Sequence, residues 1–526
     1  MHIVSFIHRN KYAIVLGAIA LTLRLIGINW DSGMHFHPDE RMLIMVADRI
    51  HFFDQLNPDF FNYGSLPVYI LKGISQFLSL IFQTDIANYD KMLYVGRFLS
   101  LVNDILVIVL IYKIAHILFE KKYVALLSVF FYVFAFFPIQ NTHFFIVDTF
   151  LNLFATLLLF LLIKYIKNPT YIKAMLIGTV FAAAITTKIT ALVFAPILVL
   201  ALFFATNGKV LHRLLRTVTF GSIVALTTIG FSFLFMPFAF LKYSQFFNEI
   251  TMQLRMNSDP YIFPYTLQYV GTLPYWYYLK NIALWGLGPF IFGFFLLGIY
   301  EHGIQLTFKK LKKSYHDNHK LVWSFFLFYL FYIVYFLVIG KSAVKFMRYM
   351  LLMYPFFAII AGYGAYELLA SFSPSTRKMT MIITFSLVIL WTLSFVNIYD
   401  SKTTRLKASN WIYSYIPTGS TLAVEHWDDR VPVYDIGRYK YEELTLYDRP
   451  DDSIKWQTLN QKLSRSDYII IASNRLYTPL QKLSDCSKFT SCYPKTAAYY
   501  EELFAEKRGF RKIAEFTGYP HLPLGP

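Results

Sequence analysis

Long apolar runs recur along the first 400 positions of this 526-residue chain. Each run has about 17 to 24 residues, which is enough to cross roughly 30 Å of hydrocarbon as an α-helix. Hydrophobic residues make up 56% of the chain and charged residues only 15%, so one soluble core could not bury this much apolar surface. The strands of a membrane barrel would alternate in hydrophobicity instead. The sequence therefore predicts a helical protein that crosses a membrane many times.

Eleven membrane spans are predicted, which gives an all-α polytopic membrane domain over residues 1–398. The predicted spans are 12–28, 93–118, 124–138, 146–163, 174–187, 190–206, 217–238, 282–300, 321–339, 350–369 and 379–398. No small-residue cleavage site follows the first apolar run, and Arg24 interrupts it, so we interpret this run as an uncleaved span.

Residues 399–526 change character, because charges become dense and short strand-like runs alternate with helical stretches. The strand-like runs are 421–424, 431–434 and 468–472. This C-terminal part is predicted to be a small soluble α/β domain.

The distribution of positive charge predicts the orientation. The formal net charge is +17, but residues 400–526 are nearly balanced, with 18 basic and 16 acidic residues, so the excess lies between the apolar runs. That placement argues against nucleic-acid binding and favours a lipid bilayer, with the basic inner loop 309–320 as a headgroup anchor. With the N-terminus in the cytoplasm, the outer segments 138–146 and 188–189 hold no cation and one. The odd number of spans then places the C-terminal domain outside the cytoplasm of a multi-pass plasma (inner) membrane protein.

The two cysteines of the chain agree with this orientation. Cys486 and Cys492 are separated by five residues in a polar stretch of the C-terminal domain. Disulfides persist outside the cytoplasm, so we expect this pair to form one that closes a small loop.

Two long outer loops, 29–92 and 239–281, are too apolar and aromatic to be free in water. We expect interfacial amphipathic helices in both, because Tyr and Trp prefer the membrane surface. The first loop also holds eight of the 16 acidic residues that precede position 400. So many carboxylates outside the membrane indicate a polar cleft.

The densest acidic piece spans residues 35–41, directly after the first span. Pro38 suits the first turn of a helix, which would place Asp39 and Glu40 near a helix N-terminus, where negative charge is favoured. These carboxylates could cap the helix, or one could be a base that takes a proton from an acceptor hydroxyl or amide. The neighbouring His37 leaves a metal site open, although its spacing is weak evidence for one.

A second outer site is predicted where the third span ends. His143 is followed by Asp148 at the head of the fourth span. The two side chains could coordinate a divalent cation, steer an acceptor, or only cap helix ends. The sequence therefore leaves a divalent cation open as a cofactor and indicates no other.

Several cations lie at outer helix ends, against the usual preference for the inner side. They are Arg24, Arg97, Lys188, Lys341, Lys345 and Arg348. A lipid phosphate would be a natural counter-ion for such residues, whereas Asp104 offers an internal partner. The cleft therefore suits an enzyme with a polyprenyl-phosphate donor, or a transporter or flippase of lipid-linked or anionic substrates.

Short motifs occur in order along the outer segments. They are 24–30 (RLIGINW) leading into 37–40 (HPDE), then 63–67 (YGSLP), 96–97 (GR), 143–148 (HFFIVD), 187–188 (TK) and 345–349 (KFMRY). Together they resemble the GT-C superfamily of multispan glycosyltransferases, in particular the branch with the dolichyl-phosphate-mannose protein mannosyltransferases and the aminoarabinose lipid A transferases.

The resemblance implies a role for individual residues. Asp39 is implied as the general base that activates the acceptor, with Glu40 in support. Asp148 matches a second outer acid associated with acceptor or metal contact, and His143 lies beside it. The implied ligands of the donor phosphate are Lys188, Arg348, Arg97 and Lys345, and the implied cleft residues are Tyr63 and His37.

The expected function is inverting transfer of a monosaccharide from a polyprenyl-phosphate-linked donor to an acceptor on the outer face of the membrane. The acceptor is a glycan, lipid or protein that the sequence does not identify, because the MIR domain and the WWD-like motif of known branches are both missing. A transporter or flippase is the alternative. Transporters often show paired repeats and broken midplane helices, and neither is apparent in the sequence.

Overall fold

The computed structural model describes residues 2–305, 319–427, 429–434 and 437–522. The basic loop predicted as a headgroup anchor lies almost entirely outside these residues. The α-helices of the N-terminal part are α1 (His2–Leu25), α2 (Pro38–Asp48), α3 (Leu66–Phe82), α4 (Tyr89–Phe119), α5 (Lys122–Val133), α6 (Phe136–Thr142), α7 (Val147–Lys167), α8 (Tyr171–Ile185), α9 (Ala195–Phe204), α10 (Val210–Phe235), α11 (Pro237–Leu241), α12 (Tyr243–Ser258), α13 (Trp276–Asn281), α14 (Pro289–Gln305), α15 (His319–Gly340), α16 (Tyr354–Ala370) and α17 (Pro374–Asp400). Shorter turns of other helix types are Ile189–Phe194, Pro264–Tyr269, Ile282–Gly286 and Met347–Met353.

Eleven spans were predicted, but fewer of the described helices are long and apolar enough to cross a membrane. Six in the described part of the chain qualify by length and composition, or seven if the bent pair of α5 and α6 is one span. The predicted spans 174–187, 190–206 and 282–300 correspond to apolar segments that are shorter, and the pair at 124–138 bends by 58°. Hydropathy does not show where a helix bends or stops short. The number eleven is therefore not confirmed, although the chain is an integral membrane protein.

Helix α16 lies at the centre of the helical bundle, where 89% of the most apolar stretch of Met347–Ala370 is buried inside the protein. Two glycines let its neighbours approach. A Cβ at Gly362 would lie 2.6 Å from the backbone nitrogen of Ser128 in α5, and a Cβ at Gly364 would lie 2.4 Å from the carbonyl oxygen of Phe294 in α14. A larger side chain at either position would force the helices apart.

A buried ion pair joins α1 to α4. The Nε atom of Arg24 donates to Oδ2 of Asp104 over 2.5 Å, and the hydroxyl of Tyr132 in α5 donates to Oδ1 over 2.6 Å. Both charged side chains are buried, and each supplies the partner that the other needs there. Asp104 is thus the internal partner that the sequence offered for an outer-side cation. That cation is Arg24, whose charge is paired inside the helical bundle.

The C-terminal part contains a small sheet with helices around it. Its elements are α18 (Thr404–Tyr415), β1 (Thr421–Glu425), β2 (Lys440–Leu444), α19 (Ser453–Ser464), β3 (Tyr468–Ile470), α20 (Asn474–Lys482) and α21 (Pro494–Phe504). The strands are parallel in the order β2-β1-β3. The predicted strand-like runs 421–424 and 468–472 correspond to β1 and β3. The run 431–434 forms no strand and contains Pro432, which cannot donate to a ladder; the more polar β2 pairs with β1 instead.

The C-terminal part packs on the outer loops. The Nζ atom of Lys482 donates to the carbonyl oxygen of Val270 over 2.7 Å, and Val270 shares an apolar cluster with Leu480. Arg41 of α2 forms an ion pair with Asp429 at 3.0 Å. These contacts place the C-terminal part on the side of the bundle that carries the acid-rich loop.

Cys486 and Cys492 form a disulfide between α20 and α21. In the outer loops, α3 and α12 present large apolar side chains at the surface, as interfacial helices would. These side chains are Phe77, Leu80, Ile81 and Phe82 in α3, and Tyr243, Phe247, Met252 and Leu254 in α12.

Candidate active site

Asp39 lies in the first turn of α2. His37 caps this helix, because its Nδ1 atom accepts a hydrogen bond of 3.4 Å from the backbone N–H of Glu40, and Pro38 starts the helix. Consecutive residues of an α-helix point about 100° apart. Glu40 therefore enters the protein interior, whereas Asp39 faces a cleft that solvent can reach.

Glu40 forms a closed cluster with Arg97 and Asp31. Arg97 donates two hydrogen bonds to Glu40 (3.0 and 2.8 Å), two to Asp31 (2.9 and 2.8 Å) and one to the carbonyl oxygen of Ile28 (2.8 Å). These bonds use all five N–H donors of the guanidinium, and none of the three side chains is exposed. The expected contact of Arg97 with a donor phosphate does not fit this arrangement. Glu40 can support Asp39 only through the helix that they share.

Asp39, Arg348, Asp148 and Lys188 form a chain of alternating charges along the cleft. The Nη1 atom of Arg348 lies 3.0 Å from Oδ2 of Asp39, and its Nε atom lies 3.7 Å from Oδ2 of Asp148. The Nζ atom of Lys188 donates to Oδ1 of Asp148 over 2.7 Å. Asp148 is almost fully buried, whereas the side chains of Asp39 and Arg348 are each 19% exposed. The structure thus brings four of the proposed site residues together and leaves the Asp39 end open.

Aromatic side chains line the same cleft. The hydroxyl of Tyr63 donates to Oδ1 of Asp39 over 3.4 Å. The Nζ atom of Lys188 lies 4.2 Å from the ring centre of Tyr349 and 5.9 Å from that of Tyr63. These rings stabilise the ammonium group by cation–π contacts and leave its positive charge free to attract an anion.

Gly64 explains how Tyr63 reaches the cleft. A Cβ at position 64 would lie 1.8 Å from the carbonyl oxygen of Thr186, so only glycine fits. The backbone N–H of Gly64 also donates to the carbonyl oxygen of Thr187 over 3.1 Å. The loop that carries Tyr63 is therefore docked on the residues directly before Lys188.

Electrostatics keep Asp39 ionised and His37 neutral. Burial acts to raise the pKa of Asp39, but Arg348, followed by His37 and Lys188, holds the pKa of this carboxyl below its usual value of 3.8. Burial lowers the pKa of His37 from 6.5 to about 4. At neutral pH the cleft therefore presents a carboxylate beside a neutral imidazole.

Two other expected site residues lie apart from this chain of charges. Lys345 is only 3% exposed, and its Nζ atom donates to the carbonyl oxygen of Ala343 over 3.0 Å without an ion pair to any described residue. His143 is fully buried, with Nδ1 2.9 Å from the carbonyl oxygen of Ile139 and Nε2 2.7 Å from that of Ile26. Lys345 could still receive an anion, whereas His143 has no nitrogen left for a metal or an acceptor.

The residues of the cleft do not fit a divalent cation. Among the described residues, no three His, Cys, Asp or Glu side chains come together as metal ligands. Asp39 and Asp148 are each paired with a cation, and Nδ1 of His37 serves the helix cap. A divalent ion would first have to displace Arg348 or Lys188.

Three residues near the cleft had no role predicted from the sequence. They are Asp31, which shares Arg97 with Glu40; Tyr349, which contacts Lys188; and Arg475 in α20, which acts on the pKa of His37. Asp31 and Tyr349 lie in or beside the quoted motifs, and that proximity was the only available signal. Nothing in the sequence links Arg475 to a loop more than 400 positions earlier.

Comparisons with known proteins show what this chain is similar to in sequence and in fold. Residues 82–236, which include Asp148 and Lys188, match the family model described as dolichyl-phosphate-mannose-protein mannosyltransferase. The fold is similar to that of the archaeal oligosaccharyltransferase AglB from Archaeoglobus fulgidus in complex with an inhibitory peptide and a dolichol-phosphate. That structure has a TM-score of 0.56 and 11% identity over 87% of this chain and 68% of the other. This chain is thus similar to a mannosyltransferase family over residues 82–236 and to an oligosaccharyltransferase in its fold.

Two further solved structures are also similar to this chain. The Archaeoglobus fulgidus oligosaccharyltransferase tethered with an acceptor peptide has a TM-score of 0.52 and 10% identity, covering 94% of this chain and 72% of that one. ArnT from Cupriavidus metallidurans bound to undecaprenyl phosphate has a TM-score of 0.49 and 12% identity, covering 89% and 91%. No curated protein matches the sequence.

Proposed function

We propose that this protein transfers one sugar from a polyprenyl-phosphate-linked donor to an acceptor at the outer face of the membrane, with inversion. The observation that carries the proposal is the contact of 3.0 Å between Asp39 and Arg348. It places a carboxylate that can act as a base beside a cation that can hold a phosphate. An enzyme that displaces a phosphate from a sugar needs a base for the acceptor and a cation for the phosphate within one cleft.

The donor phosphate is proposed to bind Arg348, Lys188 and Lys345. Arg348 and Lys188 are both bound to carboxylates in the cleft, and Lys345 has no carboxylate partner among the described residues. Cations in apolar surroundings bind phosphate strongly, because little water competes with the phosphate for them. The AglB structure named above holds a dolichol-phosphate, and the matching family model names a dolichyl-phosphate donor, which supports this class of ligand.

Asp39 is proposed as the base. The acceptor proton moves to its carboxylate, the acceptor atom bonds to the anomeric carbon from the side opposite the phosphate, and the carbon–oxygen bond to the phosphate breaks. The bonding electron pair leaves with the polyprenyl phosphate, whose charge Arg348 and Lys188 stabilise. The leaving group needs no proton, so one catalytic carboxylate is sufficient.

The ion pair of Asp39 with Arg348 links the two halves of this reaction. A donor phosphate that takes Arg348 draws the cation away from Asp39. Since Arg348 is the main group that lowers the pKa of Asp39, its withdrawal raises that pKa and makes the carboxylate a stronger base. Donor binding thereby prepares the base for the acceptor.

The orientation is proposed to be N-terminus in the cytoplasm and residues 399–526 outside. Two observations support it. The ion pair between Arg41 and Asp429 places the C-terminal part beside the acid-rich loop, and the disulfide of Cys486 with Cys492 belongs in an oxidising compartment.

Purified protein in lipid nanodiscs tests the proposal. Polyprenyl-phosphate monosaccharides with a radiolabelled sugar are offered together with a mixture of envelope glycolipids and glycans, and transferred label and released polyprenyl phosphate are measured. We expect transfer by the natural protein and a kcat lower by about 10²- to 10⁴-fold for Asp39→Asn, which is the typical cost of removing a general base. Asp54→Asn, which changes an exposed carboxylate of the same loop, is the matched control.

Full transfer by Asp39→Asn would remove Asp39 as the base. Movement of labelled lipid across proteoliposomes without release of polyprenyl phosphate would indicate the transporter alternative instead.

A further inference from the structure

His37 occupies an unusual position beside the proposed base. It is two residues before Asp39, and its ring stacks on Phe144 with 4.3 Å between ring centres and 26° between planes. Asp39, Arg348 and, from the C-terminal part, Arg475 all lie near enough to act on its pKa. The imidazole therefore packs on an aromatic ring and lies close to the charged groups of the cleft.

The helix cap determines which ring nitrogen carries the proton. The Nδ1 atom accepts a hydrogen bond from the backbone N–H of Glu40, so it carries no hydrogen itself. A neutral imidazole with Nδ1 as acceptor has its hydrogen on Nε2. The burial that keeps the ring neutral and the cap that directs its tautomer act together, and the ring cannot serve as a base while the cap is formed.

The Nε2–H group is the part of His37 that the fold does not use. It has no hydrogen-bond partner among the described residues, and it is not one of the fully buried polar atoms. A polar hydrogen beside Asp39 that the protein leaves unpaired is available to a ligand.

The identity of that ligand follows from the two ends of the cleft. The chain from Arg348 to Lys188 leads towards the proposed donor phosphate. His37 instead begins α2, whose Arg41 forms the ion pair with Asp429 of the C-terminal part. The proton that Asp39 removes belongs to the acceptor, so the group next to both Asp39 and His37 is the acceptor.

We infer that His37 is a positioning residue whose Nε2–H donates a hydrogen bond to an acceptor oxygen adjacent to the nucleophilic atom, fixing that atom between Asp39 and the donor sugar. The inference rests on the proposed function. It requires an acceptor that carries an oxygen with a free lone pair beside its nucleophilic group, as hydroxyl-rich glycans and peptide carbonyls do. His37 transfers no proton in this scheme.

Two substitutions separate this role from helix capping. His37→Asn keeps an oxygen that can cap α2, because Asn is among the best N-cap residues, but it removes the group at the Nε2 position. His37→Gln extends an amide N–H to about the distance of Nε2 and gives up the favourable cap. His51→Asn, on an exposed histidine of the same loop, controls for the chemical change.

The experiment measures kcat and KM for the acceptor, affinity for polyprenyl phosphate alone, and thermal stability of each variant in nanodiscs. For His37→Asn we expect unchanged stability and lipid affinity with kcat lower by about 10²-fold, the usual cost of losing one positioned donor. For His37→Gln we expect lower stability but a higher kcat than His37→Asn.

Full kcat in His37→Asn would overturn the inference and leave His37 as a cap. So would equal loss of kcat in both variants, or a loss of polyprenyl phosphate affinity in His37→Asn. These outcomes are distinct from failure of the proposed function, which would appear as absent transfer in the natural protein or retained transfer in Asp39→Asn.

Discussion

The guanidinium of Arg348 lies 3.0 Å from the carboxylate of Asp39, although the two groups are proposed to serve different substrates. The same side chain reaches Asp148 at 3.7 Å. An arginine shared by two carboxylates can exchange one of them for a phosphate while it keeps its ion pair with the other. The free protein therefore holds the proposed base and the proposed phosphate-binding residue in one ion pair, which we expect a donor phosphate to open.

The pH dependence of transfer follows from this pair. Arg348 depresses the pKa of Asp39 in the free protein, and a bound donor phosphate relieves that effect. We expect the acid-side midpoint of kcat, which reports the donor-bound state, to lie at higher pH than that of kcat/KM for the donor, which reports the free protein. Initial rates at several donor concentrations measure both profiles. If the acid-side midpoints of kcat and kcat/KM coincided, donor binding would leave the ion pair of Asp39 with Arg348 intact.

The depressed pKa of Asp39 also affects the stability of the donor-free protein. A carboxyl whose pKa is lower in the folded than in the unfolded state stabilises the fold above its unfolded pKa, and this contribution is lost as pH falls through the folded pKa. Thermal unfolding of donor-free protein should therefore show lower stability as pH drops below 3.8, with a weaker drop in Asp39→Asn. An identical drop in both proteins would assign the effect to other carboxylates.

Arg348→Gln is predicted to weaken binding of polyprenyl phosphate by about 10- to 100-fold, because one charge-assisted contact contributes roughly 1.5–3 kcal/mol. Titration of nanodisc-embedded protein with the lipid phosphate measures this. Arg255→Gln, which changes an exposed arginine of α12, is the control and should bind normally. Unchanged affinity in Arg348→Gln would remove this residue as a phosphate ligand.

Some of this site could be predicted from the sequence and some could not. Asp39, Lys188 and Arg348 each lie in a short motif at an outer helix end, and the structure brings them into one cleft, while their roles stay predictions. Arg97 has the same signature, yet the structure buries it against two carboxylates. The chemical type of a residue can be read from local sequence, whereas its burial depends on which distant segments pack together.

The same limit applies to the fold. Hydropathy located the apolar helices but did not predict that α5 and α6 bend by 58° or that several apolar segments are short. Strand β2 was not predicted, because the polar run Lys440–Leu444 becomes a strand only through its pairing with β1.

Removal of Arg97 is predicted to affect stability far more than substrate binding. Arg97→Met leaves Glu40 and Asp31 buried without a cation, which costs about 3–5 kcal/mol. Thermal or denaturant unfolding in a mild detergent measures the loss. Glu367→Gln opens the partly exposed pair with Lys121 and should cost about 0–1 kcal/mol. If Arg97→Met kept its stability but lost polyprenyl phosphate affinity, Arg97 would be a donor ligand after all.

Gly64 is predicted to control the cleft without touching substrate. Alanine at this position would place its Cβ 1.8 Å from the carbonyl oxygen of Thr186, so the loop must move and carry Tyr63 away from Asp39 and Lys188. We expect Gly64→Ala to lower kcat by about 10-fold or more, because small misplacements of positioning groups are costly. Gly73→Ala is the matched control, since its Cβ would make an ordinary contact of 3.6 Å with Phe52 in a helix that favours alanine. Equal activity of the two variants would show that the Tyr63 loop does not position the cleft.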